Sequence, residues 1–172
     1  MGQVVTLPEL RAKIAELKAA GKRIAFANGH FDILHVGHLR YLQAAKAEGD
    51  VLVVGINSDE SVRNLKGPDR PIVPALERAE LLAGLVPVDF VTVFEGDSPA
   101  PLLADLKPDV HCKGTDYGSP ERVPEYETVR GYGGRTALVG DPKDHATSDV
   151  IAKIRKKSEL VDRIRTMEDL AG

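Results

Sequence analysis

The fold of this 172-residue chain is decided by residues 51–56, which read Val51-Leu52-Val53-Val54-Gly55-Ile56. These side chains do not alternate between apolar and polar, as they would in a strand with one face in water. An apolar run without alternation is typical of a parallel strand that is covered by helices on both faces. Residues 51–56 therefore predict a central strand of an α/β protein.

Helices and strands alternate on both sides of that strand. Before it come a short strand at residues 24–27 and a helix over residues 36–48, on which Leu39, Leu42 and Ala45 face inward. After it, the patterns predict four helices: one over 58–65 that Ser58 caps, one over 74–85, one that begins at Ser98-Pro99 and one over 124–132. They also predict strands over 90–94, 110–112 and 136–139. This alternation implies crossover connections, and the predicted fold class is α/β with a doubly wound parallel sheet.

The chain shows no internal repeat and no linker, so we expect a single domain over residues 1–172 with a core of about 22–157. An N-terminal helix over 7–20 is predicted from the capping box of Thr6 and Glu9. The C-terminal tail, 158–170, continues a helical pattern that starts at Ser148. The apolar stripe of the whole pattern from Ser148 onward consists of Ile151, Ile154, Val161, Ile164 and Met167. The stripe packs either on its own domain or on a second subunit, and we expect a homo-oligomer, most simply a dimer.

The composition limits the partners that the chain can have. The net charge is −3, and aromatic residues make up 5% of the chain without any Trp, so neither a surface that coats nucleic acid nor a base-stacking platform is expected. No apolar run approaches the roughly 18 residues of a membrane span, and the first residues lack the pattern of a secretory signal. The single cysteine, Cys112, cannot form an intramolecular disulfide and is expected to be a small buried residue. We expect a cytoplasmic protein that binds small anionic ligands.

Ligands of an open parallel sheet bind beyond the carboxyl ends of its strands. Polar and glycine-rich segments follow four predicted strands, at residues 28–38, 57–59, 113–117 and 140–148. We therefore expect these four segments to form one site. His111 lies within a predicted strand, and we expect it to have no catalytic role.

The densest of the four segments contains His35-Val36-Gly37-His38. In the first turn of a helix, His35 and His38 are three positions apart and lie on one face. The free N–H groups of a helix N-terminus favour an anion, and imidazole N–H groups can donate to phosphate oxygens. Asn28-Gly29 adds a turn with free amides. The alternative, a solvent-facing cap beside a core histidine, is more common for a lone histidine than for such a cluster.

Other kinds of site fit the sequence less well. His30 and Asp32 crowd next to the histidine pair and could complete a zinc site. Structural zinc, however, prefers cysteine-rich ligand sets, and the zincin pattern is absent. The chain also has neither a P-loop nor a Gly-x-Gly-x-x-Gly turn after its first strand. A phosphate-binding site remains the prediction.

Cations and hydroxyls outside that segment are further candidates. Lys66 and Arg70 fall in a loop broken by Pro and Gly, which suits either a lid over phosphates or a solvated basic loop. Lys113 comes at the end of a strand, where a functional position is expected. The pair Thr147-Ser148 would cap the last long helix, either as part of a phosphate site or only as a cap.

The strand-end segments resemble those of a known family. Residues 28–38 resemble the HxGH motif of the cytidylyltransferase-like nucleotidyltransferases. The similarity continues through Asn57-Ser58-Asp59, Leu65-Lys66-Gly67, Arg70-Pro71, Glu77-Arg78, Val88-Asp89 and Lys113-Gly114-Thr115-Asp116-Tyr117. Within that superfamily, the order of these blocks is similar to the adenylyltransferases that act on heptose 1-phosphates, and it covers roughly residues 7–157.

This resemblance implies a Rossmann-like fold and the transfer of AMP from ATP, with Mg²⁺, to a sugar 1-phosphate on the way to ADP-heptose for lipopolysaccharide. In many bacteria the domain is fused to a sugar kinase, whereas here we expect a separate heptose kinase. The catalytic residues that the resemblance implies are His35, His38 and Lys66. The implied nucleotide-binding residues are Asn28, Gly29, Phe31, Asp32, Gly37, Lys113, Gly114, Asp116, Thr147 and Ser148. The acceptor and its phosphate would meet Asp32, Asn57, Lys66 and Arg70, and no metal ligand is assigned.

The chain departs from the family pattern at two places. It has His30 where the family often has Cys or Thr, and Ala146-Thr147-Ser148 where the family commonly has Ser-Thr-Thr. No role is therefore assigned to His30. Two alternative functions fit the same residues: a cytidylyltransferase for glycerol 3-phosphate or a similar alcohol phosphate, and a nucleotide-binding module without turnover.

Overall fold

The computed structural model describes residues 1–142 and 147–158. The strands are β1 (Gln3–Val4), β2 (Ile24–Gly29), β3 (Val51–Asn57), β4 (Phe90–Phe94), β5 (Val110–Gly114) and β6 (Arg135–Val139). The helices are α1 (Leu7–Ala19), α2 (Val36–Lys46), α3 (Asp59–Lys66), α4 (Ala75–Ala83), α5 (Ala100–Leu106) and α6 (Tyr126–Gly131). Residues 147–158 are also helical and are called α7.

The strands form one six-stranded sheet in the order β1-β4-β3-β2-β5-β6, and every neighbouring pair is parallel. From β2 the chain moves to β3 and β4 on one side, and then crosses back to β5 and β6 on the other. The strand order therefore reverses beside β2, which leaves a crevice at the carboxyl ends of the strands. The predicted doubly wound, Rossmann-like α/β fold is confirmed.

The helices cover both faces of the sheet. All seven residues of β3 are buried, as its unalternating sequence predicted. On one face, Leu42 of α2 and Leu82 of α4 pack against the sheet. On the other face, Leu10 of α1, Leu103 of α5 and Val129 of α6 form a second apolar layer. Two hydrophobic layers thus hold the strands, and the polar strand ends lie beyond them.

Two helix starts follow the predicted capping chemistry. The backbone N–H and the hydroxyl of Thr6 both donate to Glu9 Oε2, at 2.8 and 2.7 Å. Ser58 precedes α3, and its Oγ accepts from the backbone N–H of Ser61 at 3.2 Å. These caps fix where α1 and α3 begin, since each satisfies polar groups that the helix itself leaves unpaired.

The structure also differs from the sequence-based prediction. Strand β1 was not predicted: two residues at the chain start pair with Phe90 and Val91 of β4, and so short a strand has no pattern of its own. The helices predicted over 36–48, 74–85 and 124–132 are shorter at their ends, and short 3₁₀ turns occupy Thr115–Tyr117 and Pro120–Arg122. In the predicted C-terminal stripe, Ile154 is 58% exposed. The stripe residues beyond 158, and the tail 158–170 apart from its first residue, lie outside the described residues.

Close packing in the centre of the sheet generates a stability prediction. A Cβ atom added at Gly55 would lie 2.6 Å from the ring tip of Phe26, which is fully buried and cannot move aside. We expect Gly55→Ala to lower the free energy of unfolding by about 1–3 kcal/mol, the usual cost of overpacking a core. Gly131→Ala is the control, because nothing lies within 4 Å of its added Cβ. Urea denaturation should separate the two variants, and equal stabilities would contradict the prediction.

Candidate active site

A cavity of about 670 Å³ lies at the carboxyl ends of the strands. All fifteen residues that the sequence and the resemblance indicated line it: Asn28, Gly29, Phe31, Asp32, His35, Gly37, His38, Asn57, Lys66, Arg70, Lys113, Gly114, Asp116, Thr147 and Ser148. The four strand-end segments therefore meet in one place, as the topology of a parallel sheet requires.

The two histidines of the HxGH motif stack on each other at the start of α2. His35 is the N-cap residue of α2 and His38 lies in its first turn. Their ring centroids are 3.8 Å apart with an interplanar angle of 21°, and the His38 ring packs against Phe31 at 5.1 Å. The prediction that both imidazoles lie on one face of the helix is confirmed. Packing fixes the orientation of the pair toward the cavity.

Burial keeps two histidines of this segment, His30 and His38, uncharged near neutral pH. Burial first, and the neighbouring His35 second, together lower the pKa of His38 to about 4. Burial, followed by the positive charges of Lys66, Arg78 and Arg70, lowers the pKa of His30 to about 4. Near neutral pH these imidazoles can offer N–H groups to a ligand but no full positive charge.

Asp32 is an anchor for the loop between α3 and α4. Its side chain is almost completely buried and accepts three hydrogen bonds: from Arg70 Nε at 2.5 Å, from Ile72 N at 2.8 Å and from Val73 N at 2.9 Å. Arg70, predicted to lie either in a lid over phosphates or in a solvated basic loop, is thus held by the buried carboxylate of Asp32. Lys66, which was placed in the same loop, is instead the last residue of α3 and is exposed.

Arg78 does not line the cavity but holds segments that do, and no role was predicted for it from the sequence. Its side chain is fully buried on α4 and donates to the carbonyl oxygens of Val73, His30 and Asn57, at 2.9, 2.5 and 3.0 Å. It also donates to Asp59 Oδ1 at 2.7 Å. The sequence did contain a sign of this role. Arg78 lies four residues before the core residue Leu82, so it falls on the apolar stripe of its helix, where an arginine is expected to be buried and paired.

His111 does not line the cavity, but it contacts a residue that does. Its Nε2 lies 2.9 Å from Oδ1 of Asn28. Burial, with a smaller effect of Lys113, lowers its pKa to about 3, so the ring is neutral and Nε2–H donates to this oxygen. The amide nitrogen of Asn28 is then left as a donor. Cys112 is completely buried as predicted, and burial raises its thiol pKa to about 12.

The remaining predicted residues come from the segment after β5 and from the start of α7. Lys113 Nζ lies 5.3 Å from the ring centroid of Tyr117. A Cβ atom added at Gly114 would lie 2.5 Å from Asp116 Oδ1, so a larger residue there would displace the Asp116 carboxylate. Thr147 Oγ1 donates to the carbonyl of Ile33 at 3.2 Å, which ties α7 to the HxGH segment. Thr147 and Ser148 are themselves helical residues, so the prediction that they cap this helix is wrong.

Several cavity residues had no sequence-based assignment. These include Tyr41, Asp97 and Glu125. They lie on helix α2 or in connections whose approach to the site depends on tertiary packing.

Within residues 1–142 and 147–158, no group of three or more His, Cys, Asp or Glu side chains is arranged to hold a metal ion. The zinc alternative therefore finds no support in that part of the chain, and no helix there is long and apolar enough to cross a membrane.

The lowered histidine pKa values predict acid sensitivity. His111 has a pKa of about 3 in the folded protein and an ordinary value of 6.5 in the unfolded chain. As the pH drops below 6.5 the unfolded chain therefore binds a proton before the folded protein does, and the free energy of unfolding falls. We expect His111→Gln to flatten this loss by up to about 1.4 kcal/mol per pH unit between pH 6 and 4. Urea unfolding at several pH values measures both slopes. Parallel slopes for the wild type and the variant would refute this role of His111.

The Asp32 anchor predicts a second effect on stability. Asp32→Asn removes the charge that holds Arg70 and leaves a buried ion pair broken, so we expect a loss of about 3 kcal/mol in the free energy of unfolding. Asp105→Asn is the matched control, because Asp105 pairs with Arg11 at 2.7 Å on the exposed surface, where an ion pair contributes roughly 0–1 kcal/mol. Chemical denaturation of both variants tests this difference, which should vanish if Asp32 is not an anchor.

Comparison with known proteins identifies the family. Residues 26–165 match the family described as cytidylyltransferase-like. The bifunctional protein HldE of Geotalea uraniireducens is 49% identical over 156 residues, which make up 91% of this chain and 32% of that protein. The chain spans about a third of the length of the curated relatives it matches.

Solved structures agree with this match. A lipopolysaccharide core biosynthesis protein from Thermoplasma volcanium aligns with a TM-score of 0.61 and 29% identity, over 72% of this chain and 100% of that one. Pantoate-beta-alanine ligase from Francisella tularensis has a TM-score of 0.59 and 15% identity, over 87% of this chain and 76% of that one, and shares the fold alone. With a family match that covers most of its length and includes the HxGH histidines, the chain belongs to the cytidylyltransferase-like family of nucleotidyltransferases.

Proposed function

We propose that the chain transfers AMP from ATP to a sugar 1-phosphate, with D-glycero-β-D-manno-heptose 1-phosphate as the acceptor and ADP-heptose as the product. The observation that carries the proposal is the stacked pair of His35 and His38, which lines one cavity together with Lys66 and Lys113. The resemblance to heptose-phosphate adenylyltransferases supports the choice of acceptor. So does the similarity to HldE and to a lipopolysaccharide core biosynthesis protein.

The proposed reaction is a displacement at the α-phosphorus of ATP. An oxygen of the sugar phosphate attacks this phosphorus and forms the new P–O bond, while the bond to the β-phosphate bridging oxygen breaks and pyrophosphate leaves with its electron pair. The attacking oxygen already carries negative charge near neutral pH, so no protein base is required. Positioning the two phosphates and stabilising the developing charge then account for catalysis.

The cavity residues suit these tasks. His38 Nδ1 is enclosed without a hydrogen-bond partner among the described residues, which leaves Nε2 as the nitrogen that would donate to a phosphate oxygen. Lys66 and Lys113 would supply the positive charge that the neutral histidines do not. Gly29 and Gly37 would let the phosphates approach the backbone. Ser148 would offer its hydroxyl, and Thr147 would do so by exchanging its hydrogen bond to the Ile33 carbonyl for one to phosphate.

The acceptor would lie near Asn57 and Arg70, with Asp32 holding Arg70 in place. Mg²⁺ would accompany ATP and be held mainly by phosphate oxygens, consistent with the lack of a ligand cluster among the described residues. A heptose kinase that supplies the acceptor, a homo-oligomeric state and a cytoplasmic location remain part of this proposal.

Substrate choice is tested by pyrophosphate release with Mg²⁺, in which ATP and CTP are each combined with heptose 1-phosphate and glycerol 3-phosphate. We expect release only with ATP and the heptose. Release with CTP would retain the mechanism and reject the proposed nucleotide. Binding of nucleotide without any release would favour a module that lacks turnover.

The histidine pair predicts a kinetic effect. We expect His38→Ala to lower kcat by about 10²-fold or more, the usual effect of losing one donor to a developing oxyanion. Val36→Ala is the matched control, because Val36 lies in the same helical turn but is exposed and does not line the cavity. Steady-state kinetics of pyrophosphate release compares the two variants, and near-normal turnover of His38→Ala would reject the proposed role.

A further inference from the structure

Glu125 is a buried acidic residue of the cavity that the proposed reaction leaves unexplained. Two acidic residues are buried in the described part of the chain, Asp32 and Glu125, and both line the cavity. Asp32 accepts three hydrogen bonds, as described above. Glu125 is only 5% exposed, and its Oε2 has no hydrogen-bond partner within residues 1–142 and 147–158. Burying a carboxylate without a partner is costly, so a ligand that pairs with it would explain its presence.

The position of Glu125 separates it from the histidine pair. It directly precedes α6, which packs with α1 and α5 on one face of the sheet, whereas α2 carries the histidines on the other face. Asn28 belongs to the side of Glu125, because strand side chains alternate and Phe26, two residues earlier, packs in the α1–α5 layer. This side of the cavity thus contributes an amide and a carboxylate.

The chemistry of a carboxylate restricts what it can meet there. A phosphate group would be repelled by Glu125. A metal ion would need further ligands, and the described residues contain no suitable cluster. A hydroxyl group is the neutral donor that both proposed substrates carry, on the ribose of ATP and on the acceptor sugar.

We infer that Glu125 accepts a hydrogen bond from a sugar hydroxyl of a bound substrate and so contributes to substrate selection. This inference rests on the proposed function, because that reaction places two sugars in the cavity. A site built to pair with a substrate hydroxyl discriminates strongly against analogues that lack it, since its own polar group is then left unpaired.

The test uses equilibrium binding by calorimetry, which does not require turnover. The ligands are ATP, 2′-deoxy-ATP, 3′-deoxy-ATP, heptose 1-phosphate and its singly deoxygenated analogues. The variant is Glu125→Gln, which keeps the size of the side chain. Glu127→Gln is the matched control, because Glu127 lies on the first turn of the same helix with a side chain that is 76% exposed.

We expect Glu125→Gln to weaken binding of one substrate by roughly 10- to 100-fold, the value of a hydrogen bond to a charged group, while Glu127→Gln binds like the wild type. If the ribose is the partner, the variant loses the wild-type discrimination against one deoxy-ATP. If the acceptor is the partner, only heptose 1-phosphate binds more weakly, and the wild type discriminates against one of its deoxygenated analogues.

The inference is overturned if the wild type binds every deoxygenated ligand as tightly as its parent, a result that does not depend on any variant folding. It is also overturned if Glu125→Gln, with a melting temperature no lower than that of the wild type, keeps the affinity for both substrates. Pyrophosphate release by the wild type is measured in parallel. Failure of the proposed function therefore appears in the turnover assay, and failure of this inference appears in the binding data.

Discussion

The site depends on one buried guanidinium. Arg78 joins the carbonyl oxygen of His30, just after β2, and that of Asn57, the last residue of β3, to the loop before α4. Three separate segments of the chain thus share a single point of attachment. A buried charge is costly unless its donors are paired, and here the planar fork meets three carbonyls and the carboxylate of Asp59. Lysine has a single nitrogen and could not reach these groups together. The position of His30, and hence the entry to the HxGH segment, follows from this contact.

A second feature of the cavity is that its positive charges and its imidazole hydrogen-bond donors belong to different residues. His38 on α2 is neutral near neutral pH because it is buried, while the cations are Lys66 at the exposed end of α3 and Lys113 at the end of β5. In the proposed reaction, these lysines would attract anionic substrates and the packed imidazoles would orient them. A chain with a net charge of −3 can bind polyanions in this way, since Lys66, Arg70 and Lys113 line the cavity.

Much of the fold and of the cavity lining could be predicted from local sequence. The run at 51–56 gave β3, Ser58 marked the start of α3, and the spacing of His35 and His38 gave a shared helix face. These features depend on periodicity and capping, which short segments express by themselves. Three other features are not encoded in any local pattern. Strand β1 and the hydrogen bond from His111 to Asn28 depend on partners more than eighty residues away. The burial of Glu125 depends on the packing of a loop.

The stacked imidazoles also constrain how the site takes up protons. With ring centroids 3.8 Å apart, a charge on either ring opposes a charge on the other, as the effect of His35 on His38 already shows. A proton on one ring therefore makes a proton on the other less favourable, because like charges at this distance repel. The helix N-terminus that faces the cavity is consequently built to present hydrogen-bond donors and is poorly suited to hold two positive charges at once.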